Sequence, residues 1–139
     1  RRVHTGNGAG AVLSDTVGFI RRLPHTLVAA FRATLEETSE ADLLLHVVDA
    51  SSDDRSAQIA AVNQVLGEIG AKDIPQIIVM NKIDRTRHPA RVERDQYGTI
   101  SRVWVSAKTG EGIEGVRLAL EELATPARAS VATDQSAAA

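Results

Sequence analysis

Two apolar runs limit what this chain can fold into. "LLLHVVD" (residues 43–49) and "QIIVMN" (76–81) are too short and too continuously apolar for surface helices. They read as strands buried on both faces of a sheet. Between them, Ile59, Val62, Leu66 and Ile69 recur at helical spacing, and Gly70 is placed to end that helix. A strand, an amphipathic helix and a second buried strand make a parallel crossover unit. The pattern repeats downstream. "SRVWVS" is a further strand, and Ile113, Val116, Leu120 and Leu123 line a last helix that Pro126 discourages from continuing. Upstream, "RRVHT" and "GAVLSD" read as two strands joined through Gly6-Asn7-Gly8, residues that tolerate the positive φ of a hairpin turn. Leu27, Phe31 and Leu35 mark a helix after Pro24, and residues 85–100, with Pro89 and Gly98, read as mostly loop. The expectation is an α/β protein with a largely parallel sheet and no internal repeat.

Composition removes several function classes. With 3% aromatic residues, stacking platforms for single-stranded nucleic acid are not expected, and a net charge of -2 gives no pull toward DNA or anionic membrane. The absence of Cys removes disulfide frameworks and thiolate metal sites. No apolar run approaches the roughly 20 residues that span a bilayer. The expected setting is the cytoplasm, with no membrane span and no direct DNA binding. The chain opens on Arg1-Arg2-Val3 without Met, which suggests a start inside a longer protein, and residues 125–139 are small and polar, so a disordered tail is expected.

In parallel sheets, ligands sit at the carboxyl ends of the strands. Three strand ends are unusual here. "AVLS" is followed by Asp15-Thr16-Val17-Gly18, "QIIVM" by Asn81-Lys82-Ile83-Asp84, and "RVWV" by Ser106-Ala107-Lys108. Each alone has an ordinary reading as a turn, a loop or a helix cap. Their joint occurrence in this order, each closing a strand, is the informative observation.

DxxG, NKxD and SAK in this order resemble the later motifs of P-loop GTPases. "LSDTVGFIRRLPHTLVAAFRATLEET" followed by "ADLLLHVVDAS" narrows the resemblance to the bacterial HflX family, over residues 1–124. The resemblance implies a doubly wound, Rossmann-like P-loop GTPase sheet with helices on both faces and strand order 2-3-1-4-5-6. It implies a GTP/GDP site, Mg²⁺ as cofactor, GTP hydrolysis, and association with the large ribosomal subunit in ribosome splitting or rescue. Guanine offers two adjacent donors, the ring N1–H and the exocyclic amine. The Asp84 carboxylate can accept both, whereas adenine would leave it facing a lone pair. In this reading Asn81 ties neighbouring loops together, Lys82 lays its stem over the base with its ammonium solvated, and the Ala107 N–H donates to the guanine carbonyl. Thr16, Val17, Ile83, Ser106 and Lys108 complete the set. Asp15 would hold Mg²⁺ through a water, and Gly18 would place its N–H near the γ-phosphate.

The chain departs from the family pattern in three ways. It has no GxxxxGK[ST]. It also lacks the Thr that completes Mg²⁺ coordination in the first switch; in the family both lie upstream of the position of Arg1. Finally, Phe19 stands where many GTPases carry a water-orienting Gln, which implies slow unstimulated turnover with no certain catalytic residue in the chain. The resemblance therefore implies that residues 1–124 are a partial GTPase domain, incomplete at its N-terminus without the first strand and P-loop, and that the chain alone is inactive and poorly stable. Two other classes stay open: a truncated, non-catalytic or binding-only module, and a phospho-acceptor domain using Asp49. The latter needs a second acidic residue at the first strand end, where Asp15 is followed by Thr-Val-Gly. Arg21 and Arg22 read as a solvated surface pair, His46 as a core histidine, Asp49 as a turn residue, and Trp104 as core packing. His25 and His88 carry no clear signal.

Overall fold

The computed structural model describes residues 2–4, 10–13, 41–68 and 70–123. Two short strands, β1 (Arg2–His4) and β2 (Gly10–Val12), form an antiparallel pair with Val3 opposite Ala11, as the hairpin signal predicts. The larger sheet has four strands: β3 (Leu44–Asp49), β4 (Gln76–Asn81), β5 (Arg91–Arg94) and β6 (Ile100–Trp104). Their order is β3-β4-β6-β5, with β3 and β6 both parallel to β4 and β5 antiparallel to β6. Helix α1 (Arg55–Glu68) makes the β3–β4 crossover, and α2 (Ile113–Leu123) follows β6.

Side-chain alternation in β4 feeds two cores. Ile77 and Val79 join Val103, Val105 and Ala119 on the face covered by α2, with Ile113 and Val116 packed against them. Met80 joins Val48, Ala50, Ile83 and Trp104 on the other face, where Ile59 of α1 packs. The helices thus cover opposite faces, which is the doubly wound arrangement. Met80, Val103 and Val105 are fully buried, and each such side chain contributes about 1.5–3 kcal/mol relative to exposure. Gly70, at φ 76°, ends α1: the Ala71 N–H donates to the Leu66 carbonyl at 2.8 Å and the Gly70 N–H to that of Gly67 at 3.3 Å. This is a Schellman closure.

Two expectations need refinement. Residues 85–100 are mostly loop, as expected, but they also hold a strand, β5, and a tight turn in which Asp95 Oδ1 accepts the N–H groups of Tyr97 (2.9 Å) and Thr99 (3.0 Å). β5 has one apolar residue, Val92, because an edge strand packs little of itself into the core; its charges pair outward instead. The run "LLLHVVD" is not buried on both faces: Val48 is buried, but Val47 is 62% exposed. Val47 points to the α2 face, and α2 lies over β6 rather than β3. Among the described residues nothing pairs with the outer edge of β3. Trp104 is buried, as expected, with the Arg91 guanidinium carbon 4.0 Å from its ring centre and the His88 ring at 4.4 Å. The helix expected around Leu27, Phe31 and Leu35, the Arg21-Arg22 pair, His25 and the tail lie outside the described residues.

Candidate functional site

The carboxyl ends of β3, β4 and β6 lie side by side, because parallel strands in register finish together: Asp49 is opposite Asn81, and Met80 is opposite Trp104. The loops that leave β4 and β6 enclose a shallow cleft of about 350 Å³ lined by Asn81, Lys82, Asp84, Arg85 and Lys108. Two motifs that are more than 20 residues apart in sequence therefore share one pocket.

The cleft is held by side chains from neighbouring strand ends. Asn81 Oδ1 accepts the Ala107 N–H at 3.0 Å, tying the end of β4 to the loop after β6. A base carbonyl directed at that N–H would share or displace this bond. Ser106, with 0% exposure, donates from Oγ to Asp84 Oδ1 at 2.8 Å and accepts the Thr109 N–H at 3.2 Å. Its backbone is also engaged, the N–H by the Glu111 carbonyl and the carbonyl by the Gly110 N–H, both at 2.8 Å. Asp84 itself is exposed to the cleft. A carboxylate has about four acceptor positions, so one Ser106 bond fixes its orientation and leaves Oδ2 and a second lone pair of Oδ1 for a ligand.

Local backbone geometry presents these groups. Lys82 is the one non-glycine residue with positive φ among those described (φ 68°, ψ 34°). That left-handed step turns the chain off β4 and into the 3-10 turn. Ile83 then points inward as a buried anchor, its N–H donating to the Val105 carbonyl at 3.2 Å. Thr86 closes the turn by donating from its N–H (2.9 Å) and Oγ1 (3.0 Å) to the Ile83 carbonyl. Holding a non-glycine residue there costs on the order of 1 kcal/mol, and such strain concentrates at binding sites.

Lys82 differs from expectation. Its ammonium is not merely solvated: Nζ lies 3.2 Å from Asp49 Oδ2. Asp49 does act as a turn residue, accepting from the Ser51 hydroxyl (2.6 Å) and N–H (2.9 Å) at Oδ1. The Ser51 hydroxyl bond, reinforced by Lys82, holds its carboxyl below the usual carboxylate value. His46 lies in β3, where burial lowers its pKa. Gln76 Nε2 is 2.9 Å from its Nδ1, a pairing made by a neutral ring protonated on Nε2. It is a structural histidine.

Comparison with known proteins decides the family. A family model described as "50S ribosome-binding GTPase" matches residues 1–82. The GTPase HflX of Escherichia coli is 52% identical over 123 residues, 88% of this chain and 29% of that protein. The chain belongs to the HflX family of GTPases. The GTPase HflX of Spirochaeta thermophila is 55% identical over 106 residues, 76% of this chain and 25% of the relative. The chain thus spans less than a third of the length of these relatives. A solved structure of an SsGBP variant superposes with a TM-score of 0.72 at 28% identity, covering 90% of this chain and 47% of that one.

Within this HflX-family chain, Asn81, Lys82, Asp84 and Lys108 line one cleft, Ser106 and Ala107 bond to Asp84 and Asn81 beside it, and Ile83 is buried beneath. Asp15, Thr16, Val17, Gly18 and Phe19 lie outside the described residues. The Mg²⁺ expectation rests on Asp15, and among the described residues no group of three or more His, Cys, Asp or Glu side chains could hold a metal ion. No helix among them is long and apolar enough to cross a membrane. Arg85 escaped the sequence reading as a lining side chain, and Asp49, read there as a turn residue, escaped it as the partner of Lys82. The signal for Asp49 was its place as the last residue of a strand adjacent and parallel to the one carrying Asn81.

Proposed function

We propose that the full-length protein binds GTP and GDP with the base in the β4–β6 cleft, and that it hydrolyses GTP. The observation that carries this is the braced Asp84 carboxylate. Ser106 fixes one oxygen at 2.8 Å, and the remaining acceptors face an open cleft. That group matches the paired N1–H and amine of guanine and mismatches adenine. Lys82, Arg85 and Lys108 on the rim suit an anionic ligand. Asp15 to Gly18 would serve the phosphate end, where Asp15 would hold Mg²⁺ through a water and the ion would supply neutralisation of phosphate charge. Phe19 offers no hydrogen bond to an attacking water, so unstimulated turnover is slow.

The family description, a 50S ribosome-binding GTPase, supports a site of action on the large ribosomal subunit, and we infer a cytoplasmic role in ribosome splitting or rescue, governed by nucleotide state. The test is a fluorescent-GDP titration and a phosphate-release assay on the full-length gene product, with co-sedimentation on large subunits in a non-hydrolysable GTP analogue against GDP. Micromolar guanine-nucleotide binding and analogue-dependent co-sedimentation are expected; adenine nucleotides competing equally would refute the reading. The absence of GxxxxGK[ST] from these residues favours a second reading for the chain by itself, a binding-only module. Phosphate release by the 139-residue chain alone would exclude that reading.

A further inference from the structure

Each of the three polar side chains of the NKxD segment has a partner on a neighbouring strand end. Asn81 is met by Ala107 and Asp84 by Ser106, both after β6. Lys82 is met from the opposite side, by Asp49 at the end of β3. The first two contacts come from the motif residues after β6; the third comes from a residue to which no nucleotide role attaches.

We propose that Asp49 is a positioning residue for the nucleotide base: it anchors the Lys82 ammonium so that the lysine stem stands as one wall of the guanine cleft. The proposal rests on the guanine reading of that cleft. Lys82 has a long, flexible side chain, 47% exposed, on a backbone in left-handed conformation. Left to itself it would sample many rotamers, and a base entering the cleft would have to immobilise it. Fixing one such side chain costs roughly two- to tenfold in affinity. Asp49 removes that cost beforehand.

The anchor is itself built. Asp49 Oδ1 is fully occupied by the Ser51 hydroxyl and N–H, which leaves Oδ2 directed at Lys82 Nζ, 3.2 Å away. The Ala50 N–H donates to the Asn81 carbonyl at 2.8 Å, so the loops after β3 and β4 move together. Arg55, at the start of α1, donates to the Ala50 carbonyl at 3.0 Å and ties the same loop to the helix. The carboxyl is held ionised by its Ser51 bonds. As a stability device an exposed pair of this kind contributes little; as a means of fixing a cleft wall it matters whenever the cleft is filled.

Asp49→Asn separates the roles. The amide oxygen still accepts from Ser51, so the turn survives, but the charge that holds Lys82 is gone. The test is a fluorescent-GDP titration of the full-length gene product as wild type, Asp49→Asn, Lys82→Met and the double variant, with a thermal melt of each. Met keeps an apolar stem without the ammonium. Asp49→Asn should weaken GDP about fivefold with its melt unchanged, and the same substitution should change affinity by less than about twofold in the Lys82→Met background, because coupled residues are non-additive. Wild-type affinity in Asp49→Asn, fully additive losses, or a loss that tracks a lowered melting temperature would overturn the proposal while leaving the guanine site standing. Absence of GDP binding in the wild type would overturn the guanine reading itself, and this proposal with it.

Discussion

Ser106→Ala tests how far the cleft depends on one buried hydroxyl. Ser106 has 0% exposure, and its Oγ donates 2.8 Å to Asp84 Oδ1 while accepting from the Thr109 N–H at 3.2 Å. A hydrogen bond to a charged group is worth about 1.5–3 kcal/mol. Asp84 and Thr109 are both exposed, so water takes over part of each interaction in the variant. The net loss of stability should be about 1–2 kcal/mol, read as a lower urea midpoint with unchanged m-value. Binding should suffer in addition, since the carboxylate is free to rotate away from the base. A further 1.4 kcal/mol there is about tenfold in GDP affinity. The assay pairs urea unfolding with fluorescent-GDP titration of the full-length gene product at a temperature where both proteins are folded. Wild-type GDP affinity in a folded Ser106→Ala protein would show that Ser106 does not orient Asp84 and would refute the reasoning.

Gly112 has φ 82°, and a Cβ there would run into the Trp104 carbonyl oxygen and meet Ala90 Cβ and Val105 Cα at 3.1 Å. Gly112→Ala should therefore cost about 2–4 kcal/mol in urea unfolding, and a cost near zero would contradict the packing described at the start of α2. His46 is neutral in the fold because burial lowers its pKa below 6.5, so the unfolded chain takes up the proton first. Stability contributed by His46 is present at higher pH and is lost as pH falls through 6.5 toward the folded value; urea midpoints from about pH 7.5 down to about pH 5.5 should fall less steeply in His46→Leu than in wild type. Phe19→Ala should leave unstimulated GTP hydrolysis within about threefold, because no catalytic hydrogen bond is removed; a loss of several hundredfold with binding intact would give Phe19 a direct role. The edge of β3, unpaired among the described residues, and the 62% exposure of Val47 predict that the 139-residue chain by itself melts without a sharp transition and aggregates, and a cooperative melt of that chain would refute this.

The strongest sequence signals were those with redundant physical causes. β4 was legible because a continuous apolar run, a preceding amphipathic helix and a polar strand end all agreed. The antiparallel pairing of β1 and β2 was legible from the Gly6-Asn7-Gly8 signal in the sequence between them. β5 was not, because "RVER" has one apolar residue and an edge strand needs no more; the clue was Asp95 and Gly98 shaping a tight turn before Ile100. The exposure of Val47 was hidden because a sequence reports which residues are apolar and not which helix reaches them. At the site, residue identities were legible from motif order, but their braces were not. That Ser106 serves Asp84 and Asp49 serves Lys82 follows from parallel strands ending in register, which only the assembled sheet shows.

The central claim is that Asp84 selects the base by accepting two hydrogen bonds from guanine. Asp84→Asn keeps the shape of the side chain but replaces one acceptor with a donor, which suits xanthine, whose C2 carries an oxygen in place of the amine. The measurement is the ratio of GDP to XDP affinity in the full-length gene product, wild type against Asp84→Asn. The account predicts that GDP weakens by about 2–4 kcal/mol while XDP binds more tightly than in wild type, inverting the preference. Unchanged GDP affinity, or an equal loss for both nucleotides, would remove Asp84 from the base site and contradict the account.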